Sequence, residues 1–90
     1  MKLYSGAELL EMSWNGRVFT DGHLTIKNGE GINTLPNKLT VAGFIDISNS
    51  DIISISSELK CWGIVMKPNQ IPENETIYST LRGIPIYTFL

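Results

Sequence analysis

The chain has one cysteine and one histidine in 90 residues. Cys61, alone, permits neither an intramolecular disulfide nor a thiolate metal site. His23, alone, is thin material for a catalytic triad, which needs a histidine converging with a nucleophile and an orienting acid. Asp21 and Asp46 stand near it in the pattern, yet a single histidine at a strand start reads as a surface residue. Clusters of positive charge are missing as well. Seven Lys/Arg against nine Asp/Glu give a net charge of −2, and the cations are scattered from Lys2 to Arg82. That excludes the electrostatic footprint of a nucleic-acid binder and the polybasic patch of a membrane-surface protein. No apolar run approaches the roughly 20 residues of a membrane-spanning helix. The opening residues, Met1 to Glu8, lack the apolar core of a secretory signal, so a reducing cytoplasm is the expected location.

Other chemical signals are equally sparse. Asp46, Asp51 and Glu58 do not have the spacing of a calcium loop. Gly29-Glu30-Gly31 precedes no helix that would complete a phosphate cradle. Asn74-Glu75-Thr76 reads as a surface loop. Cys61 reads as a small core hydrophobe, since a reactive thiol needs an electropositive, open setting. The expectation is a protein with no enzymatic activity, no metal and no cofactor.

What is present is a folded composition, 42% hydrophobic and 18% charged, and an internal repeat. Residues 1–90 read as one domain. A chain of this length buries only roughly 60–65% of the surface its unfolded form exposes, so the core is thin. Leu24-Thr25-Ile26, Ile45-Asp46-Ile47, Ile64-Val65-Met66 and Ile84-Pro85-Ile86 recur with a step of about 20 residues. Each follows a glycine: Gly22, Gly43, Gly63 and Gly83. The remainder of the unit returns too. Leu39-Thr40-Val41-Ala42-Gly43 reappears as Leu59-Lys60-Cys61-Trp62-Gly63 and, more loosely, as Val18-Phe19-Thr20-Asp21-Gly22. Ile32 matches Ile52 and Ile71, and Leu35 matches Ile55.

The segments Ile45-Asp46-Ile47-Ser48-Asn49-Ser50-Asp51-Ile52 and Ile64-Val65-Met66-Lys67-Pro68-Asn69-Gln70-Ile71 resemble the L-x-L-x-x-N-x-L core of leucine-rich repeats. Leu35-Pro36-Asn37-Lys38-Leu39 is similar to the L-P-x-x-L element of short bacterial repeats. The asparagine position of that pattern holds Gly29, Ser50 and Asn69. Over roughly residues 14 to 87 the chain resembles repeats of bacterial effectors and of small phage or prophage proteins. The resemblance implies a mostly β, leucine-rich-repeat-like solenoid of three or four parallel-stacked turns that works by binding another protein.

Alternation of apolar residues is strand periodicity, and a strand with one apolar face is stable only when stacked on its copies. Two short strands per turn are expected, with the glycines allowing the bend between them. The predicted core comprises Leu24, Ile26, Ile32, Leu35, Leu39, Val41, Ile45, Ile47, Ile52, Ile55, Leu59, Cys61, Ile64, Met66, Ile71, Ile84 and Ile86. A Ser-x-x-Glu capping box, Ser5 to Glu8, starts a capping helix over 5–13. Ala7, Leu10 and Trp14 stand at helical spacing as a lid on the first turn. The repeats fill 14–83, and 84–90 form a C-terminal strand.

The outward residues of the strands predict the binding face. One column is Thr25, Asp46, Val65 and Pro85; its neighbour is Lys27, Ser48, Lys67 and Tyr87, with His23 and Phe44 beside them. Such a mixture suits a small protein interface, the alternative being an ordinary solvated face. Trp62 falls outside the core columns and is the best single anchor if exposed. The expected partner-binding set is therefore His23, Thr25, Lys27, Phe44, Asp46, Trp62, Val65, Lys67 and Tyr87. The apolar C-terminal strand offers a second possibility, a homodimer formed by edge pairing through Ile84, Ile86, Tyr87 and Phe89. An inhibitor or adaptor of phage or prophage origin and a self-associating structural protein are the two competing functions.

Overall fold

The period-two alternation becomes parallel β-structure. The computed structural model describes residues 2–55, 58–76 and 82–88. Its elements are β1 (Leu3–Ser5), α1 (Gly6–Leu10), β2 (Val18–Thr20), β3 (His23–Lys27), β4 (Leu39–Val41), β5 (Phe44–Asn49), β6 (Gly63–Met66) and β7 (Ile86–Thr88). A five-stranded sheet runs in the order β1-β3-β5-β6-β7, and a two-stranded sheet pairs β2 with β4. Every pairing is parallel. Lys60 extends the smaller sheet by one parallel bridge to Thr40. The chain thus passes repeatedly from the small sheet to the large one through the glycine corners at Gly22, Gly43 and Gly63.

Between the sheets lies the core. Leu24, Ile26, Leu39, Ile45, Ile47 and Ile52 are fully buried, joined by Val41, Leu59, Ile64, Met66 and Ile71. Each such side chain contributes about 1.5–3 kcal/mol relative to exposure, most of which chain entropy offsets. Ile55, Cys61 and Ile86 pack against this cluster as partly buried members. Leu9 and Val18 belong to the core as well, beyond the predicted set.

Several expectations need correction. The helix is shorter than 5–13: Ser5 is its N-cap, with Oγ accepting from Glu8 N at 3.1 Å, and Glu11 is its C-cap. The Glu8 carboxylate pairs with Lys2 at 3.3 Å. The buried apolar residue is Leu9, whereas Leu10 is 45% exposed. Trp14 is not a lid but lies over the helix end, Nε1 donating to Leu9 O at 3.0 Å. Strand β1 was not expected; Tyr4 pairs with Leu24 in register.

The last strand is shifted by two residues. Ile64 pairs with Ile86, not Ile84, and Val65 with Tyr87, not Pro85. Pro85 has no N–H to give to a ladder, but its carbonyl accepts from Ile64 N at 2.9 Å, so pairing begins past the proline. A two-residue slip preserves the inward and outward alternation. The Lys27 column is displaced too, because a β-bulge lies between Thr25 and Lys27 and sets Lys27 against Asn49 rather than Ser48. Ser48 turns locally onto Asp46 Oδ1, with N and Oγ donating at 3.0 and 2.6 Å.

The glycines at the corners act by space, not by bending freedom. Among the recurring four only Gly83 has positive φ. At Gly43 a Cβ would stand 2.6 Å from His23 Nδ1, and at Gly22 only 2.0 Å from Lys2 O. After β5 the expected asparagine column holds a buried plug, Ser50, whose Oγ donates to Ile47 O at 2.7 Å and accepts from Ile52 N at 3.3 Å. After β3 and β6, by contrast, the polar plugs are displaced by one residue from that column. Glu30 Oε1 accepts from Lys27 N at 2.7 Å and from Gly6 N at 3.2 Å. Gln70 Oε1 accepts from Lys67 N at 2.9 Å, while Nε2 donates to Ile47 O and Ile52 O at 2.7 and 2.9 Å. Asn69 takes the left-handed turn conformation, φ 63. Buried carbonyls of one turn are thereby satisfied by the next.

Candidate functional site

At the glycine-side end of the large sheet, four ring side chains meet on the surface. His23 opens β3, Phe44 opens β5, Trp62 precedes β6 and Tyr87 sits in β7. His23 stacks on Phe44, with centroids 5.7 Å apart and planes at 20°. Trp62 stands edge-on to both at 6.1 Å. Tyr87 meets Phe44 at 6.0 Å and 65°. These separations are those of favourable offset and edge-to-face pairs, worth about 0.5–1.5 kcal/mol each beyond area burial. The strip is nonetheless open, with Phe44 37%, Tyr87 44% and Trp62 52% exposed.

Local sequence explains the gathering. Gly63 is the register partner of Phe44, and a Cβ there would meet Tyr87 Cε2 at 2.9 Å and Phe44 Cδ1 at 3.0 Å. The missing side chain leaves the space into which both rings lean. His23 is oriented by the backbone of the adjacent strand β5, Nδ1 accepting from Phe44 N at 2.9 Å. An imidazole accepting at Nδ1 carries its hydrogen on Nε2. Its ring faces Phe44 and Trp62, while Asp21 accepts from the Tyr4 hydroxyl and Asp46 from Ser48. No acid orients His23 among the described contacts.

The remaining predicted residues divide. Thr25, Asp46, Val65 and Tyr87 do share one row across the strands, which Ser5 extends. Thr25, Asp46 and Val65 are half-buried. Lys27, at the end of β3, and Lys67, just past the end of β6, are exposed and lie outside the aromatic strip. For the dimer set, Ile84 is buried, Ile86 is half-buried against the core, Tyr87 is exposed, and Phe89 lies outside the described residues.

Sequence reasoning missed the β1 extension of the strip. Leu3 is 68% exposed and pairs with His23 in register. Beside it Lys2 Nζ lies 4.4 Å from the Tyr4 ring centroid. The signal was legible, since Leu3-Tyr4-Ser5 precedes His23-Leu24-Thr25 by one more repeat step, though without a glycine to mark it. Hydrogen bonding to the Asp21 carboxylate holds the Tyr4 phenol above its ordinary pKa. Burial pushes the Cys61 thiol up to about 11, the opposite of an activated nucleophile. Among the described residues no helix is long and apolar enough to cross a membrane. Compared with known proteins, the chain matches no family model, no curated protein and no solved structure.

Proposed function

We propose that this chain is a small, non-catalytic protein-binding module, built as a short leucine-rich-repeat-like solenoid, which docks its aromatic strip on a protein partner. The observation that carries this reading is the convergence of His23, Phe44, Trp62 and Tyr87 at 5.7 to 6.1 Å on an exposed surface. Solvent-exposed rings grouped this closely mark interaction sites, and tryptophan and tyrosine are enriched among interface hot spots. Their mutual packing holds the rings in place before a partner arrives, which lowers the entropy cost of binding. On the resemblance to short bacterial and phage repeat proteins, the partner is a host-cell protein and the module a cytoplasmic inhibitor or adaptor of phage or prophage origin.

The test is affinity capture from host lysate with wild type and Phe44→Ala/Trp62→Ala in parallel, after circular dichroism has matched their folds. The reading expects one stoichiometric protein recovered by the wild type and lost by the variant. Equal recovery by both would overturn it. A second reading, self-association through β7, is favoured by that strand's place at one end of the large sheet's strand order, with Tyr87 exposed. Sedimentation equilibrium decides it: a dimer mass reduced to monomer by Tyr87→Lys supports pairing, and a monomer at all concentrations rejects it.

A further inference from the structure

The polar atoms of the aromatic strip share one character. His23 accepts from Phe44 N through Nδ1, so its ring hydrogen stands on Nε2. Among the described residues, that Nε2–H, the Trp62 indole N–H and the Tyr87 hydroxyl engage no hydrogen-bond partner. The first two can only donate, and the third can do so as well. Trp14 differs, since its indole N–H is spent on Leu9 O. Asp46, on the same outward face, already accepts from Ser48 N and Oγ, and Lys27 and Lys67 lie outside the strip. The strip's own polar groups are therefore donors set among rings.

Two common occupants fit such a surface poorly. An added β-strand needs an unpaired edge, whereas β3, β5 and β6 each have a neighbouring strand on both sides. A docked helix bonds its carbonyls within itself, so it would cover the three donors and leave them unpaired, which is costly. A polyproline II segment is the opposite case. It has no internal hydrogen bonds, and proline has no N–H, so it brings carbonyl acceptors and few donors of its own. Its pyrrolidine rings dock in aromatic-lined grooves. The geometry suits it too. Trp62 stands at 87° to both His23 and Phe44, which makes an angled corner rather than a flat plate. From His23 through Phe44 to Tyr87 the rings advance by 5.7 and 6.0 Å, room for one three-residue turn of roughly 9 Å.

We infer that the strip takes a proline-rich segment of the partner protein in the polyproline II conformation, with prolines seated around Phe44 and carbonyls accepting from Trp62 Nε1 and Tyr87 Oη. The inference rests on the docking reading above and names the ligand of that same surface. A preformed segment loses little entropy on binding, and the rings already hold one another in place.

The test uses the full chain and fluorescein-labelled decaproline, read by fluorescence anisotropy and by the indole N–H resonances of the two tryptophans. Saturable binding is expected, moving the Trp62 signal and leaving that of Trp14 in place. Trp62→Ala should weaken binding about tenfold or more, and Trp62→Phe, which keeps a ring but loses the donor, about threefold or more. Phe19→Ala removes an exposed ring of the small sheet and should leave binding unchanged. Absence of binding at millimolar decaproline, equal binding of its D-proline mirror image, or an equal loss in Phe19→Ala would overturn the inference. Capture from lysate separates the two claims. A partner lost with Phe44→Ala/Trp62→Ala yet undisplaced by excess decaproline would overturn the ligand and keep the docking face. Equal capture by wild type and variant, with decaproline still bound at the strip, would overturn the docking reading instead and uphold the ligand class.

Discussion

The two sheets grow from one repeat, yet among the described residues one gathers five strands and the other two. On the large sheet each repeat supplies β-branched residues at inward positions, such as Ile45 and Ile47, and the ladder continues through β7. On the small sheet Leu39-Thr40-Val41 gives way to Leu59-Lys60-Cys61, with less β-branching to favour the pleated surface. There the pairing shrinks, among the described residues, to one bridge. The difference teaches how a repeat protein divides its labour. The long ladder sets a row on which rings are displayed; the short one, as far as the described residues run, closes the core from the other side.

The largest expected contrast lies in the core. Ile47→Ala, between full ladders, should cost toward the upper part of the roughly 2–5 kcal/mol range for such truncations. Leu59→Ala, beside the single bridge at Lys60, should cost toward its lower part, because fewer ladder contacts hold the site and it can collapse. Urea unfolding of both variants measures this, and equal losses would mean the small-sheet edge is as well supported as the large sheet. Next come the glycine corners. At Gly63→Ala the obstacle is two rings, so the cost should be about 1–3 kcal/mol and should fall when Phe44→Ala is added. Gly22→Ala meets the Lys2 carbonyl, a backbone atom, and should cost more than Gly63→Ala with no such rescue.

Much of this was legible in the sequence because the period is carried by apolar residues at alternate positions. Leu24, Ile45 and Ile64 fall in register as their spacing implied; the place of Trp62 outside the core columns left its exposure open, and the structure leaves it 52% exposed. Three features were harder to read. Strand β1 lacks the glycine that marks the other units. The two-residue shift of Ile86 keeps the apolar alternation, so hydrophobic pattern alone does not distinguish it from the Ile84 alignment. The plugs Glu30 and Gln70 stand one residue beyond the asparagine position, since their longer side chains reach the same carbonyls and amides from the next place along the turn.

Titration separates the sheets further. In the small sheet the Cys61 thiol is raised from 9.0 to about 11, so the neutral form stabilises the fold. Its contribution is complete below pH 9 and lost as pH rises toward 11. Cys61→Ala should flatten that alkaline limb, leaving the part due to Tyr4, whose pKa is also raised. On the large-sheet side, Glu30 is held below its ordinary 4.5 by the Lys27 amide first, then those of Ala7 and Gly6. Its contribution is present above that value and lost as pH falls through the depressed one; Glu30→Gln should reduce the acid limb. Thermal melts across pH check both. The smallest effect belongs to Thr25→Ala, half-buried in the outer row, which should change stability by no more than about 0.5 kcal/mol.

The most direct test of the binding face is calorimetric titration of the purified captured partner with Trp62→Ala and Thr25→Ala proteins of verified fold. A hot spot in the strip predicts that Trp62→Ala weakens affinity about 30-fold or more, as losses above about 2 kcal/mol require, with Thr25→Ala close to wild type. Equal affinity for wild type and Trp62→Ala would contradict the assignment of binding to the aromatic strip.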